Sequence, residues 1–177
     1  MTSDQPAKTV TLLYDGWQVW DGQLGPVRVG ADVVASVEFV QRSALRPVAS
    51  GTPPGLEHLG DARYLATAEV LDTVGAVVLD LGVLRAVRWV RPGEDPGDFT
   101  AGTTVSLELS LSLTGWPDAP WTNRAAELHG TEHRWRVHRI VRRTAGADDD
   151  TDIDEADVES VESSGQYCLL ECTQADG

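Results

Sequence analysis

The sequence predicts an all-β fold: a small antiparallel barrel, OB-like or SH3-like in its Greek-key rhythm, with about seven to nine strands and little helix, and a β-sandwich as the alternative. Three observations lead there. Over residues 105–113, Val105, Leu107, Leu109, Leu111 and Leu113 alternate with Ser106, Glu108, Ser110 and Ser112. That period of two turns one strand face to a core and the other to water. Residues 27–39 echo it, since Gly30 precedes Val33, Ala35, Val37 and Phe39 at the offsets at which Gly102 precedes Val105, Leu107, Leu109 and Leu111. A glycine there suits positive φ where the chain swings into a sheet, so two strands of one barrel begin alike. The rest of the chain is a series of β-rich runs punctuated by glycine.

The elements follow in order. Residues 9–20 read as a hairpin turning at Asp15-Gly16, because both central positions of a type I′ turn need positive φ; Trp17 and Val19 share one face of its return strand and Trp20 takes the other. A second strand runs over 27–41. Residues 42–62, with Pro47, Pro53, Pro54, Gly51, Gly55 and Gly60, read as a long loop pinned to the surface, since the strands before it are too few to close a core. Residues 63–91 read as two β-runs around a turn at 72–75, with Gly82 bending the second run at a barrel corner. After a loop at 92–98 comes the central strand. Residues 114–129 then place Trp116 and Trp121 among prolines, either plugging an open barrel end or forming a contact surface, before a short helix capped by Thr122 or Asn123.

Residues 131–143 read as a regular strand, with His133, Trp135, Val137, Arg139 and Val141 on one face and Arg134, Arg136, His138, Ile140 and Arg142 on the other. Residues 147–163 read as an acidic, mobile loop, and a last strand covers 166–173. A single domain over 1–177 is long enough to bury about 70% of its unfolded surface without disulfides.

Charge narrows the partners. Fourteen basic residues against 28 acidic ones leave a net charge of -14, which repels nucleic acid and anionic membrane and favours a basic protein partner. Residues 148–162 hold nine acids and no base, more than half of that excess. One lysine against 13 arginines points to the codon usage of a high-GC bacterial genome. No apolar run has membrane-spanning length and the first residues do not read as a secretion signal, so the expected location is cytoplasmic. Cys168 and Cys172, four apart on a strand, would lie about 13 Å from each other, too far for a disulfide, and read as buried thiols.

Chemistry-bearing constellations are sparse. Asp148, Asp150, Asp152, Asp154 and Glu159 have the acid spacing of a calcium loop, but Ile153 stands where its sharp turn needs glycine and a strand precedes it, so a solvated loop is the better reading. His129, His133 and His138 straddle a Gly130-Thr131 break and read as surface residues without a metal. The sequence lacks the G-x-S-x-G, P-loop and G-x-G-x-x-G patterns, and no cofactor is expected.

The expected function is therefore a non-catalytic interaction module acting through a protein partner, in the manner of an acidic inhibitor or immunity protein. Its candidate contact residues are Arg88, Trp89, Arg91, Trp116, Trp121, Arg134, Arg136 and His138. The alternatives are a nucleic-acid-binding barrel using Trp89, Trp135 and nearby arginines, or an enzyme without a recognisable motif. A further expectation is that the acidic segment folds over the basic strand before it and masks it. The long strand at 105–113 would also allow a homodimer, were it at a sheet edge.

Overall fold

A computed structural model describes residues 8–14, 24–90, 93, 95–114, 127, 129–146, 150–157 and 165–175. Outside these lie the Asp15-Gly16 turn with Trp17 and Trp20, Arg91, Trp116, Trp121, the expected helix cap, Asp148 and Glu159. The strands are β1 (Thr9–Tyr14), β2 (Val27–Arg28), β3 (Asp32–Gln41), β4 (Arg46–Pro47), β5 (Gly55–Gly60), β6 (Arg63–Asp72) and β7 (Ala76–Asp80). They continue with β8 (Arg85–Trp89), β9 (Thr104–Thr114), β10 (Glu132–Thr144), β11 (Thr151–Ile153), β12 (Glu155–Ala156) and β13 (Gln166–Gln174).

The expected barrel is present. Eight strands close it: β1, β3, β6, β7, β8, β9, β10 and β13. The pairing is mixed, because β3–β8 and β1–β9 run parallel while the other ladders are antiparallel. Closure is organised by the antiparallel β3–β9 ladder, in which Phe39 faces Leu111 and Val37 faces Leu113. Along its other edge β3 pairs first with β10, over Asp32 to Ser36, and then with β8 at Val37 and Glu38. The other edge of β9 likewise pairs with β6 as far as Ser110 and then meets β1 at Ser112. Two circuits therefore return on themselves, β3–β9–β1–β13–β10 and β3–β9–β6–β7–β8, and both contain the same central ladder.

The alternating leucines of β9 point into one core with Leu12, Phe39, Leu79, Trp135, Ile140 and Leu170. Gly30 and Gly102 both have positive φ, 81° and 79°, at the entrances to β3 and β9. Polar atoms inside are paired: Thr11 N–H donates to Tyr64 Oη at 2.7 Å while that hydroxyl donates to Thr11 O at 3.0 Å, and Tyr14 Oη donates to Gly25 O at 3.0 Å. Neither Cys168 nor Cys172 forms a disulfide; both face this core, and burial pushes Cys172 up to about 12.

Several expectations need correction. Both edges of β9 are occupied, so it cannot pair with a symmetry mate. Residues 42–62 are not simply a loop: β4 pairs with β9 at Arg46 and Pro47, and β5 lies on β6. Gly82 does not bend a strand but turns β7 into β8, with φ +81° and a space closed by the Pro54 carbonyl. The strict alternation of β10 fails at His138, where Val137 faces Cys172 and Arg139 faces Glu171. That bulge adds one residue and exchanges the faces, so Ile140 enters the core in place of Arg139. The acidic segment also contains two short strands, β11 on β10 and β12 on β2.

Gly82 offers a test of this packing. A Cβ there would sit 2.8 Å from Pro54 O in a left-handed backbone, whereas at Gly75 (φ +75°) the space is open. Gly82→Ala should cost about 2 kcal/mol or more and Gly75→Ala about 1 kcal/mol, compared by urea unfolding. Equal losses would show that the Pro54 contact does not matter.

Candidate functional site

Among the described residues the inside of the barrel is packed with side chains, and an apolar recess lies on its outer wall. One row of cross-strand neighbours crosses that wall. Val78 faces Val87, Val87 faces Glu38, Glu38 faces Ser112, Ser112 meets Leu13, Leu13 faces Leu169 and Leu169 faces Val141. Directly opposed residues in a ladder point to the same side, so all seven share the outer face. Five are apolar. Val78 and Val87 are buried with Ala76, Leu71 and Trp89, while Leu13, Leu169 and Val141 cluster with Ala62 and Tyr167. Glu38 and Ser112 are the polar break between the two clusters.

A recess of about 240 Å³ opens beside the second cluster, with Leu13, Ala62, Tyr167 and Leu169 in its wall. It lies where the edge of β9 passes from β6 to β1. There the Asp61-Ala62 turn inserts, Asp61 adopts φ 51°, and Leu111 N–H donates to Ala62 O at 2.9 Å. Three arginines stand around it. Arg42 Nε donates to Ser110 Oγ at 2.9 Å, Arg63 pairs with Glu108 at 3.3 Å, and Arg143 pairs with Asp61.

Arg143 also joins this rim to the acidic segment. Its Nε and Nη2 donate to the two carboxylate oxygens of Asp150 at 2.5 and 2.7 Å, which holds Asp150 below the usual carboxylate range. Nearby, Arg139 donates to Asp152 Oδ1 at 2.9 Å and to Glu171 Oε1 at 3.0 Å. Arg28 then meets Glu155 at 3.0 Å beside β2. The acidic segment thus runs antiparallel along the edge of β10 as a short strap, held by arginines of β10 and β2. Of the calcium-spacing acids, Asp150 and Asp152 are engaged with guanidinium groups, and Asp148 and Glu159 lie outside the described residues.

The sequence-derived contact residues do not form one patch. Arg88 and Trp89 end β8: Arg88 donates to Pro96 O at 2.5 Å and lies 5.0 Å from the Phe99 ring centroid, while Trp89 packs on the Val78–Val87 cluster. Arg134 is exposed opposite Val34, and Arg136 pairs with Asp32 at 2.6 Å and donates to Gly30 O. His138, the bulge residue, bonds Thr173 Oγ1 at 2.7 Å. β3 does collect β10 and β8 along one edge, but beside different halves of its length. Arg91, Trp116 and Trp121 lie outside the described residues. Trp135, a stacking residue in the nucleic-acid alternative, is 1% exposed and donates to Ala35 O, so it cannot stack on a base.

His133 is also buried, which corrects its reading as a surface residue. It borders a polar recess of about 380 Å³ with Asp80, Arg85, Glu132 and Gln174. Its Nδ1 lies 3.0 Å from Gln174 Nε2, and its Nε2 contacts the Arg85 main chain at 3.1 and 3.2 Å. Both ring nitrogens are therefore used in joining β8, β10 and β13, and burial lowers its pKa from 6.5. Next to it, His129 pairs with Asp72 at 3.0 Å. No group of three or more His, Cys, Asp or Glu able to hold a metal occurs among the described residues.

Sequence reasoning missed Glu38, Leu13, Ala62 and Leu169. A signal for the outer row was present in consecutive apolar pairs: Leu12-Leu13, Val77-Val78, Ala86-Val87, Ile140-Val141 and Leu169-Leu170. A strand apolar at both phases buries both faces.

Two expectations can be measured here. Between 6.5 and its lowered folded value, His133 is protonated in the unfolded chain but not in the native one. Its stabilising effect is complete above 6.5 and is lost as pH falls. Wild type should therefore weaken more steeply than His133→Gln from about pH 7 to about pH 5 in urea midpoints; parallel profiles would contradict this. Arg143→Met should speed amide exchange of residues 151–153, and added salt should do the same in wild type.

No protein-family model matches this chain, and no curated protein or solved structure shows significant similarity to it.

Proposed function

We propose that this chain is a non-catalytic binding module that docks a basic protein partner on the outer wall of its barrel. The observation that carries the reading is the apolar recess at Leu13, Ala62, Tyr167 and Leu169, open on the outside of a barrel whose interior is packed. Apolar surface at the centre of a polar rim is the anatomy of a protein–protein contact, with one or two side chains of the partner seated in the recess. The net charge of -14 adds long-range steering toward a positive partner. An acidic inhibitor of a basic effector is the form that fits these features best.

The nucleic-acid reading has less support. Trp135 is buried, and Arg136, Arg139 and Arg143 each hold a carboxylate that a phosphate would have to displace. An enzyme reading has less support too, because the buried histidine spends both ring nitrogens on the fold.

The test is recovery of partners from host lysate at low and moderate salt, with nuclease, using wild type, Leu13→Asp and Val74→Asp. Val74, an exposed residue of the β6–β7 turn, serves as the control. One stoichiometric basic protein should survive nuclease with wild type and Val74→Asp. Leu13→Asp should weaken its capture about 10- to 100-fold. Equal capture by Leu13→Asp, or recovery of nucleic acid alone, would refute the reading.

A further inference from the structure

Next to the recess, on the other side of Arg42, a groove of about 530 Å³ runs along the end of β3, lined by Glu38, Val40, Gln41, Ser43, Arg42 and Arg88. Glu38 is its one acid. The residue lies in the middle of β3 on the outer face, between Val87 of β8 and Ser112 of β9, and is only partly exposed. Among the described residues its carboxylate has no hydrogen bond or ion pair. Burial alone pushes it above the ordinary glutamate value, with no compensating cation.

Cations are nearby, yet the fold holds them elsewhere. Arg42 is fixed through Nε to Ser110 Oγ at 2.9 Å, and Ser110 is itself 7% exposed. Arg88 is fixed to Pro96 O and lies over the Phe99 ring. Every other outer-wall carboxylate described around the recess, Asp61, Glu108, Asp150, Asp152 and Glu171, is paired with an arginine of the same chain. A half-buried unpaired carboxylate is costly in the free protein and becomes favourable when a cation arrives.

We propose that Glu38 is the counter-ion for a basic side chain, arginine or lysine, of the protein partner whose apolar side chain seats in the recess. This inference rests on the docking reading above. Val40, exposed on the same face two residues along β3, offers apolar contact for the stem of such a side chain, and the carboxylate receives its charged head. The arrangement adds a local specificity element to the diffuse attraction of a -14 chain: steering brings a basic surface close, and Glu38 rewards one that places a cation beside the recess.

The experiment uses isotope-labelled full-length protein and N-acetyl-arginine methylamide as the probe, with N-acetyl-norleucine methylamide as a neutral control. NMR should show saturable shifts of the Glu38 carboxyl carbon and of the Val87 and Ser112 amides with the arginine probe only. Glu38→Gln should weaken those shifts about tenfold or more. The free Glu38→Gln protein should be as stable as wild type or more so, since it loses an unpaired charge. Absent shifts at Glu38, shifts that persist in Glu38→Gln, or a Glu38→Gln protein that is markedly destabilised would each overturn the proposal. Partner capture separates the two readings: if Leu13→Asp loses the partner while Glu38→Gln retains wild-type capture, the recess stands and the counter-ion role falls.

Discussion

The ladder between β3 and β9 is the constraint on which the rest of the molecule depends. Buried backbone N–H and C=O groups must find partners, and a closed barrel meets that demand by leaving no strand edge in its wall. Here β3 and β9 are long enough to serve two sets of neighbours each, β10 then β8 on one side and β6 then β1 on the other. Both circuits close through the same pair of strands, and a single core fills them. Changing between neighbours leaves a seam. At the seam beside β9, the Asp61-Ala62 turn supplies the carbonyl that Leu111 N–H needs, and the recess opens next to it. The candidate docking site is therefore a product of how the backbone was satisfied.

The same geometry explains why the outer wall is apolar. Strands that cross at a seam are covered by turns and by neighbouring side chains on their outer side, so Leu13, Leu169 and Val141 pack against Ala62 and Tyr167 instead of facing water. On the far side, Trp89 and Leu71 close over Val78 and Val87. Glu38 and Ser112 lie between two covered patches, where the wall remains open and a carboxylate is only partly solvated.

β10 shows how charge and backbone geometry combine. Its bulge at His138 turns Arg139 outward in time to meet Asp152 and Glu171, while Ile140 fills the core. Exposed ion pairs of this kind contribute about 0–1 kcal/mol each, so the strap depends on several at once and on a three-residue ladder. Ion pairs at such exposure are screened by added salt, so the ladder carries more of the strap's attachment as ionic strength rises. The strap lies beside the basic strand over Ile140 to Arg142 and leaves Arg134 and Arg136 exposed.

By itself the sequence determined the class of fold. Alternation in residues 105–113 requires a strand with one buried face, the positive-φ glycines at 30 and 102 mark where two strands begin, and the spacing of Cys168 and Cys172 excludes a bond between them. These are local properties, set by side-chain period and backbone sterics within a few residues. Which strands meet was decided only by the tertiary structure: that β3 lies on β9, that β10 carries a bulge, that Trp135 and His133 turn inward, and that Leu13 shares a row with Glu38 although 25 residues separate them in the chain. The paired apolar residues of β1 and β13 announce that both faces are covered, but not by what. Register between distant strands depends on the closure of the whole barrel, and the recess and its neighbouring carboxylate exist only once that closure is complete.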